Sequence, residues 1–351
     1  MRAKRPLARP LVPLYAAAIR LKDGLRHAGL ARTRSLKWPV VSVGSLSAGG
    51  AGKTPVVIAL AKLLRDGGWA VDVLSRGYGR EGWGMERVEP ELEYAARRFG
   101  DEPVLIAEET SVPVWVGGDR YVAGRRAEAS AQGGGRCVHL LDDGFQHRQL
   151  ARSMDIVLVT SEDLEDSLLP EGNLREALSA LQRADVLVVR QNEVDAAIDA
   201  GGPSINKRAW EMLRERGQMW MVRRKLVFPA PLRVFGAGLR PVTFCAIARP
   251  EDFAAMLQNA GCGVMETVAF ADHHRYTAAD MQRVIAVAKG LNGSGFITTE
   301  KDAVKLTQAM RRQLEEHGPL MVVALEAEFA DPAAVLRALE AKLVSVEARS
   351  S

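Results

Sequence analysis

The residues with the clearest chemical potential form a short glycine-rich segment. It reads Ser47-Ala48-Gly49-Gly50-Ala51-Gly52-Lys53-Thr54. Backbone N–H groups of such a turn can surround phosphate oxygens, Lys53 adds a full positive charge, and the Thr54 hydroxyl can bind Mg²⁺. The segment therefore predicts a nucleoside triphosphate site. The alternative is a glycine-rich connector without a ligand.

The neighbouring residues favour the phosphate site. An apolar run at 39–43 precedes the segment and a helical pattern at 55–64 follows it, which is the order strand, turn, helix. A helix N-terminus at this place adds partial positive charge. The match is imperfect, because Ser47 stands where the usual pattern begins with glycine.

Two acidic residues end another apolar run further along the chain. Asp142 and Asp143 follow Cys137–Leu141, and a carboxylate carried beside a phosphate loop by a strand can hold Mg²⁺. The alternative is a strand-end turn with solvated acids. Gln146 and His147 come directly afterwards and are expected near the nucleotide.

Three more segments carry reactive or charged side chains. In the loop Ser75–Arg80, the arginines can bind an anionic substrate. Arg76 and Tyr78 are therefore candidate substrate-binding residues, together with Gln146 and His147. Asp101 can either cap the helix that follows or accept a proton from a hydroxyl group. His273, beside Asp272, is either an oriented base or phosphate contact, or a structural histidine.

The elements that position these residues alternate between strands and helices. Short, unalternating apolar runs predict buried parallel strands; they are 40–43, 70–74, 112–116, 137–141, 156–160 and 186–189. Helical patterns lie between several of them. The predicted fold class is α/β, with a doubly wound, mostly parallel sheet of the P-loop NTPase type.

A second, smaller α/β lobe is predicted after a change of pattern near residue 218. The expected organisation is an N-terminal arm at 1–30, a P-loop domain at 31–217, a β-ribbon linker at 218–238 and the second domain at 239–351. Within the second domain, a single helix is predicted over 302–314.

Composition sets the broad class of protein. The chain has 351 residues, 47% hydrophobic and 26% charged, as in ordinary globular proteins. Its three cysteines lack metal-ligand spacing and are expected to be reduced core residues. No apolar run is long enough to span a bilayer.

Positive charge is concentrated in the N-terminal arm. Residues 1–40 carry ten basic side chains and one acidic one, so the remainder of the chain has a net charge of −5 within a total of +4. A basic amphipathic helix at 13–27 is expected to lie on an anionic membrane surface. The alternatives are a solvated helix packed on its own domain and nucleic-acid binding, but no nucleic-acid module is recognisable.

Taken in order, these motifs resemble those of the tetraacyldisaccharide 4′-kinases, the lipid A 4′-kinases of Gram-negative bacteria. The resemblance runs from about residue 13 to the last predicted strand. It is carried by 43–45 with the phosphate loop, 75–79, 100–103, 142–147, 169–172 with 174–176, 272–274, and Thr299-Glu300-Lys301-Asp302-Ala303-Val304-Lys305-Leu306. The family usually has Ser or Thr where Ser47 stands. Ser45, Ala177 and Ala246 depart from its pattern.

The resemblance implies transfer of the ATP γ-phosphoryl group to the 4′-hydroxyl of a tetraacylated glucosamine disaccharide 1-phosphate, which yields lipid IVA. By matching motifs, Lys53 and Thr54 hold phosphates and Mg²⁺, with Asp142 and Asp143 on the metal side. Asp101 is the implied base, supported by His273. Arg175 and Arg76 neutralise phosphate charge.

The resemblance also implies a setting for the reaction. It implies an N-terminal helix that rests on the inner membrane, and we expect a monomer that lies peripherally on the cytoplasmic face and does not bind nucleic acid. Asp101 and His273 are expected on different lobes, where they meet only when the cleft closes. The rival functions are an ATP- or GTP-driven switch or metallochaperone acting on a protein partner, and a nucleotide-binding module without turnover.

Overall fold

The computed structural model describes residues 5–30, 32–49, 52–131, 135–199, 218–229, 240–293 and 295–350. Four predicted features fall partly outside these ranges: the middle of the phosphate loop (Gly50 and Ala51), the first four residues of the arm, the end of the 31–217 domain, and linker residues 230–238. Within the described ranges, no helix has the length and apolar character needed to cross a membrane.

The strands follow the predicted order. They are β1 (Val40–Ser45), β2 (Ala70–Ser75), β3 (Glu86–Arg87), β4 (Val114–Val116), β5 (Cys137–Asp142), β6 (Met154–Val159), β7 (Val186–Arg190), β8 (Gln218–Val227), β9 (Pro241–Cys245), β10 (Glu266–Ala269), β11 (Gly295–Thr299) and β12 (Leu320–Phe329).

The α-helices connect these strands. They are Val12–His27, Lys53–Asp66, Ala95–Phe99, Asp101–Thr110, Arg120–Ser130, Ser161–Glu165, Gln191–Asp199, Pro250–Asn259, Ala278–Gly290, Glu300–Ala303, Gln308–Glu315 and Pro332–Ser350. Two 3₁₀ helices, Pro6–Leu11 and Leu178–Arg183, complete the described elements.

The chain divides into two compact units. Unit 1 comprises Met1–Arg76, Gly118–Arg223 and Ala327–Ser351, and unit 2 comprises Gly77–Gly117 and Arg224–Glu326. These boundaries differ from the continuous ones expected from sequence. Residues 77–117 join unit 2 because the helix Asp101–Thr110 contacts the helix Glu300–Ala303. Within 77–117, β3 pairs with β4. The helix Pro332–Ser350 joins unit 1 because it contacts the helix Lys53–Asp66.

Unit 1 is built on six parallel strands in the order β8-β7-β6-β1-β5-β2. Strand β1 is central, and its residues are fully buried, as its unalternating apolar run predicts. The chain crosses to β2 on one side of β1 and later to β6, β7 and β8 on the other. Ligands of such sheets bind outside the carboxyl ends of the strands at this switch point.

Unit 2 contains a second parallel sheet in the order β10-β9-β11-β12. Its core includes Phe244, Tyr276, Met281 and Phe296. Thr277 begins the helix Ala278–Gly290 with a reciprocal cap, in which its hydroxyl and the Asp280 carboxylate bond each other's backbone N–H groups. The α/β class with mostly parallel sheets is thus confirmed.

Two local expectations differ from the structure. The predicted helix over 302–314 is interrupted, because the Thr307 side chain accepts a hydrogen bond from the Met310 N–H and starts a new helix at Gln308. The first part of the predicted linker ribbon is the long strand β8, whose Gln218–Val222 segment pairs with β7 inside the unit 1 sheet.

Candidate active site

The glycine-rich loop of unit 1 connects β1 to the helix Lys53–Asp66, as the sequence predicts. Gly49 and Gly52 have φ angles of +74° and +82°. Residues other than glycine are strained in this left-handed region of backbone conformation. Ser47 is fully buried. Ser45, a departure from the family pattern, donates its hydroxyl to the Ser47 carbonyl at 2.9 Å and thereby braces the loop.

Lys53 points back across this loop. Its Nζ lies 3.3 Å from Oγ of Ser45 and 3.4 Å from Oδ1 of Asp143. Thr54 follows on the first turn of the helix and is largely buried. The loop, the helix N-terminus and the Lys53 ammonium group therefore form a cationic cradle of the kind that holds phosphates.

The two acids at the end of β5 have different surroundings. Asp142 is buried, and its Oδ2 accepts a hydrogen bond from the Ser75 hydroxyl at 2.8 Å. Asp143 has a positive φ of 49°. Its carboxylate accepts hydrogen bonds from both terminal nitrogens of the Arg175 guanidinium group, at 2.8 and 2.7 Å. Burial alone would raise the pKa of Asp143, but the bonds from Arg175 and the charge of Lys53 hold it well below its usual range.

Arg175 joins the acid to the phosphate loop. Its Nη2 also donates to the Ser47 carbonyl at 3.0 Å, and its backbone N–H donates to the Leu46 carbonyl at 2.8 Å. The Ala48 N–H donates a hydrogen bond to the Asn173 carbonyl at 2.9 Å. The segment around Arg175 therefore supports the loop through both backbone and side chain.

The predicted substrate-binding residues of unit 1 lie in different environments. Gln146 donates its amide to the Ser45 carbonyl at 3.0 Å, which places it beside the phosphate loop. Burial and the nearby charge of Arg120 lower the pKa of His147 to about 4, so its ring is neutral at pH 7. Arg76 is exposed just after β2.

Sequence reasoning missed Arg120, the first residue of the helix Arg120–Ser130. It is buried, and its Nη1 donates a hydrogen bond to the Gly118 carbonyl at 3.0 Å. The charged side chains that act on it include Arg76, Asp142 and Asp143. Its position at the start of a helix after a glycine pair was the available signal.

In unit 2, Asp101 and His273 are paired. Nδ1 of His273 lies 3.0 and 3.1 Å from the two oxygens of Asp101, and Asp101 is 5% exposed. A carboxylate accepts only, so Nδ1 carries the hydrogen. Two expectations are thereby corrected. The residues belong to one unit rather than to two lobes, because 77–117 clusters with 224–326. The helix cap is Gly100, and Asp101 is the first helical residue.

The pairing shifts both pKa values. Burial alone would raise the pKa of Asp101, but the hydrogen bond from His273 and the charge of Lys301 outweigh it and lower the pKa. The bond to Asp101 raises the pKa of His273 against the opposing effect of burial. His274 has a different role: its Nε2 lies 3.1 Å from Asp280, and its ring stacks on Phe270.

The pair opens into a cavity of about 300 Å³ within unit 2. Its lining includes Asp101, His273, Tyr78, Tyr94, Lys305 and Thr307. The predicted substrate residue Tyr78 is exposed, and its ring centre lies 5.2 Å from that of His273. A hydroxyl compound entering this cavity meets an ionised carboxylate already oriented by an imidazole.

Comparison with known proteins gives a consistent result. The profile of the Tetraacyldisaccharide-1-P 4′-kinase family, LpxK, matches residues 4–344. A Tetraacyldisaccharide 4′-kinase of Koribacter versatilis is 38% identical over 334 residues, covering 93% of this chain and 96% of its own length. One of Xanthomonas axonopodis pv. citri is 39% identical over 305 residues, covering 85% of this chain and 83% of its own length.

Among solved structures, the chain is similar to the "apo" form of LpxK from Aquifex aeolicus in complex with ATP. The TM-score is 0.74 at 28% identity, and the match covers 96% of this chain and 99% of the other. The family match spans the phosphate loop, the β5 acids and the Asp101–His273 pair alike. The chain therefore belongs to the tetraacyldisaccharide 4′-kinase family.

Proposed function

We propose that the protein is an ATP-dependent kinase of lipid A biosynthesis. It transfers the γ-phosphoryl group of ATP to the 4′-hydroxyl of a tetraacylated glucosamine disaccharide 1-phosphate and forms lipid IVA. Family membership supports the reaction class. The observation that carries the chemistry is the Asp101–His273 pair, which offers an oriented, ionised carboxylate to a hydroxyl group.

The donor half of the reaction uses the phosphate loop of unit 1. Backbone N–H groups that follow Ala48 in the phosphate loop, together with Lys53, bind the β- and γ-phosphates of ATP. The support is the loop geometry and the position of the Lys53 ammonium group, 3.4 Å from Asp143. Arg175, already anchored on Asp143 and Ser47, places a second positive charge there, and exposed Arg76 adds a further cation for phosphate.

The available oxygen ligands fit Mg²⁺, a hard cation that prefers carboxylates, hydroxyls and water. Thr54 and Asp142 would hold it, since one is a hydroxyl on the first helical turn and the other a buried carboxylate on β5. Bound Mg²⁺ would neutralise charge on the transferred phosphoryl group. Asp143 remains a predicted ligand, but both of its oxygens accept hydrogen bonds from Arg175.

The acceptor half uses the pair in unit 2. Phosphoryl transfer passes through a loose transition state, so the base needs mainly to orient the hydroxyl group and receive its proton late. An ionised Asp101 with a lowered pKa suits this role. His273 orients that carboxylate, and Tyr78, Gln146 and His147 are the proposed contacts to the substrate.

The N-terminal helix is the proposed membrane contact. It exposes Leu14, Leu21 and Leu25, and Leu7 and Leu11 are exposed just before it. With the basic residues of the arm, these side chains suit an anionic lipid surface. The proposed location is therefore the cytoplasmic face of the inner membrane, where a four-chain acceptor resides. The enzyme is proposed to act there as a monomer, without nucleic acid.

This helix is also tied to the donor site. The Tyr15 hydroxyl donates to the Arg175 carbonyl at 3.1 Å, and Asp23 forms an ion pair with Arg148. The proposed membrane contact thus lies on the segment that supports the phosphate loop.

A direct assay tests the proposal. The purified protein with Mg-ATP and the disaccharide 1-phosphate should release ADP and convert the lipid to a bisphosphate, seen as one added phosphoryl group by mass spectrometry. The matched control is the same lipid already phosphorylated at the 4′ position, which should give no turnover. Equal ADP release with and without acceptor would contradict the kinase and support a switch ATPase.

A further inference from the structure

Lys301 lies beside the Asp101–His273 pair, within unit 2. Its Nζ is 2.9 Å from Oε1 of Glu102, 3.8 Å from Oδ1 of Asp272 and 4.0 Å from Oδ2 of Asp101. The side chain is largely buried, with 19% exposure. Lys301 belongs to the motif at 299–306, and the proposed reaction assigns no role to this motif.

The local fold explains how this lysine reaches the pair. Strand β11 ends at Thr299, whose side chain accepts a hydrogen bond from the Asp302 N–H and begins the short helix Glu300–Ala303. The helix Asp101–Thr110 contacts that short helix. Lys301 therefore projects from one helix toward the first turn of the other.

The same motif also holds the backbone next to His273. The fully buried Asp302 accepts hydrogen bonds from the Ala246 N–H at 3.1 Å and from the Tyr276 hydroxyl at 3.1 Å. The Ala246 carbonyl in turn accepts the His273 N–H at 3.3 Å. Two neighbouring residues of one motif thus support the two members of the pair, Lys301 on the Asp101 side and Asp302 on the His273 side.

The charges around the pair show what Lys301 contributes. Three carboxylates surround the ammonium group of Lys301: Asp101 and Glu102 from one helix, and Asp272 from the loop after β10, which also lies 3.9 Å from His273 Nε2. Lys301 contacts all three, and Lys305 adds a more distant positive charge on Asp101. Without Lys301, these three carboxylates would lose their shared ion-pair partner, and the negative charges of Asp101 and Asp272 would act on the imidazole without its opposing charge.

We propose that Lys301 is a positioning residue for the reaction, whose ammonium group holds the Asp101 carboxylate ionised and oriented toward the acceptor hydroxyl. This inference rests on the proposed function. Lys301 acts through Asp101 and need not contact the substrate.

The proposal predicts a shift in pH dependence. The Lys301 charge lowers the pKa of Asp101 and also that of His273. Removing this charge raises both pKa values, so the pair is protonated at higher pH. The acidic limb of kcat/KM must therefore move to higher pH.

The experiment compares Lys301→Met, Lys301→Gln and Lys301→Arg with Lys289→Met, which removes an exposed lysine of the same unit. At neutral pH the Met and Gln variants should lose roughly 10- to 100-fold in kcat, with KM for ATP nearly unchanged. Lys301→Arg should recover much of the loss, and Lys289→Met should match the wild type. Wild-type kcat and pH profile in a folded Lys301→Met protein would overturn the inference.

A measurement without turnover separates this inference from the kinase assignment. The His273 imidazole is titrated by NMR in the wild type and in the Lys301→Gln protein. A higher pKa in the variant supports the inference even if no kinase activity is found, in which case the proposed function fails alone. An unchanged His273 titration overturns the Lys301 inference even if the wild type phosphorylates the lipid.

Discussion

Nδ1 of His273 donates a hydrogen bond to the carboxylate of Asp101 at 3.0 Å, although 172 positions separate the two residues in the sequence. Both lie in one compact unit. The carboxylate is therefore oriented within unit 2 itself. Catalytic groups held in this way lose little entropy at the moment of reaction.

Replacement of Asp101 should stop phosphoryl transfer while leaving ATP binding intact. For Asp101→Asn we expect kcat to fall by roughly 10²- to 10⁴-fold, the usual value of a positioned base. ATP affinity should change little, because the phosphate loop belongs to unit 1. Lipid-dependent ADP release and ATP titration calorimetry measure the two quantities. A folded variant with normal kcat would argue that Asp101 is only structural.

The Arg175–Asp143 pair should stabilise unit 1 and the phosphate loop together. Arg175→Met leaves Asp143 with Lys53 alone. We expect a loss of about 1–3 kcal/mol in the free energy of unfolding, less than for a fully buried pair because the Asp143 side chain is 36% exposed. A double-mutant cycle with Asp143→Asn measures the coupling by urea unfolding. Additive effects of the two changes would rule out the pair as a stabilising unit.

Acid should weaken the same pair. The folded-state pKa of Asp143 lies below its unfolded value. Its contribution to stability is therefore complete above about pH 4 and is lost as the pH falls through the folded-state value. Unfolding free energy measured from pH 6 downward should drop less steeply in Asp143→Asn than in the wild type. If the unfolding free energy falls equally steeply with pH in both proteins, the lowered pKa of Asp143 is contradicted.

His139 should make the protein sensitive to alkali. This fully buried residue of β5 has Nδ1 2.6 Å from Asp72 and Nε2 3.5 Å from Glu128. Burial opposes its charge, but the two carboxylates raise its pKa to about 9. A raised folded pKa gives stability that is complete below the unfolded value of 6.5 and is lost as the pH rises toward 9.

The test follows thermal unfolding of the wild type and of His139→Gln between pH 6 and 9.5. The wild type should lose up to about 3 kcal/mol more than the variant over this range. Matching pH profiles would show that the imidazole is neutral in the folded protein.

Exposed leucines of the N-terminal helix should carry vesicle binding. Deleting the arm would also remove the Tyr15–Arg175 hydrogen bond, so point changes are the sharper test. Leu14→Ser with Leu21→Ser should weaken binding to anionic vesicles while leaving turnover on detergent-dispersed lipid close to that of the wild type. Val344→Ser, another exposed apolar residue, is the control. Unchanged sedimentation with vesicles would exclude this face as the membrane contact.

Local sequence patterns accounted for most strands of unit 1 and for its glycine-rich loop. The short apolar runs predicted β1, β2, β5, β6 and β7 within a residue or two, because a strand buried on both faces is mostly apolar and shows no alternation. The sequence also predicted that the phosphate loop and the acids at the end of β5 lie at the same edge of the sheet, because the carboxyl ends of parallel strands meet there. One local miss, the helix over 302–314, arose from Thr307, which starts a helix more readily than it continues one.

The sequence by itself therefore determined the α/β class, the phosphate loop and the family. Only the tertiary structure decided which side chains are partners: Asp143 with Arg175, Asp101 with His273, and Lys301 with Asp101 and Glu102. The physical reason is one of range. Strand, helix and turn preferences depend on neighbouring residues, whereas an ion pair depends on how distant segments pack, and no local pattern records that packing.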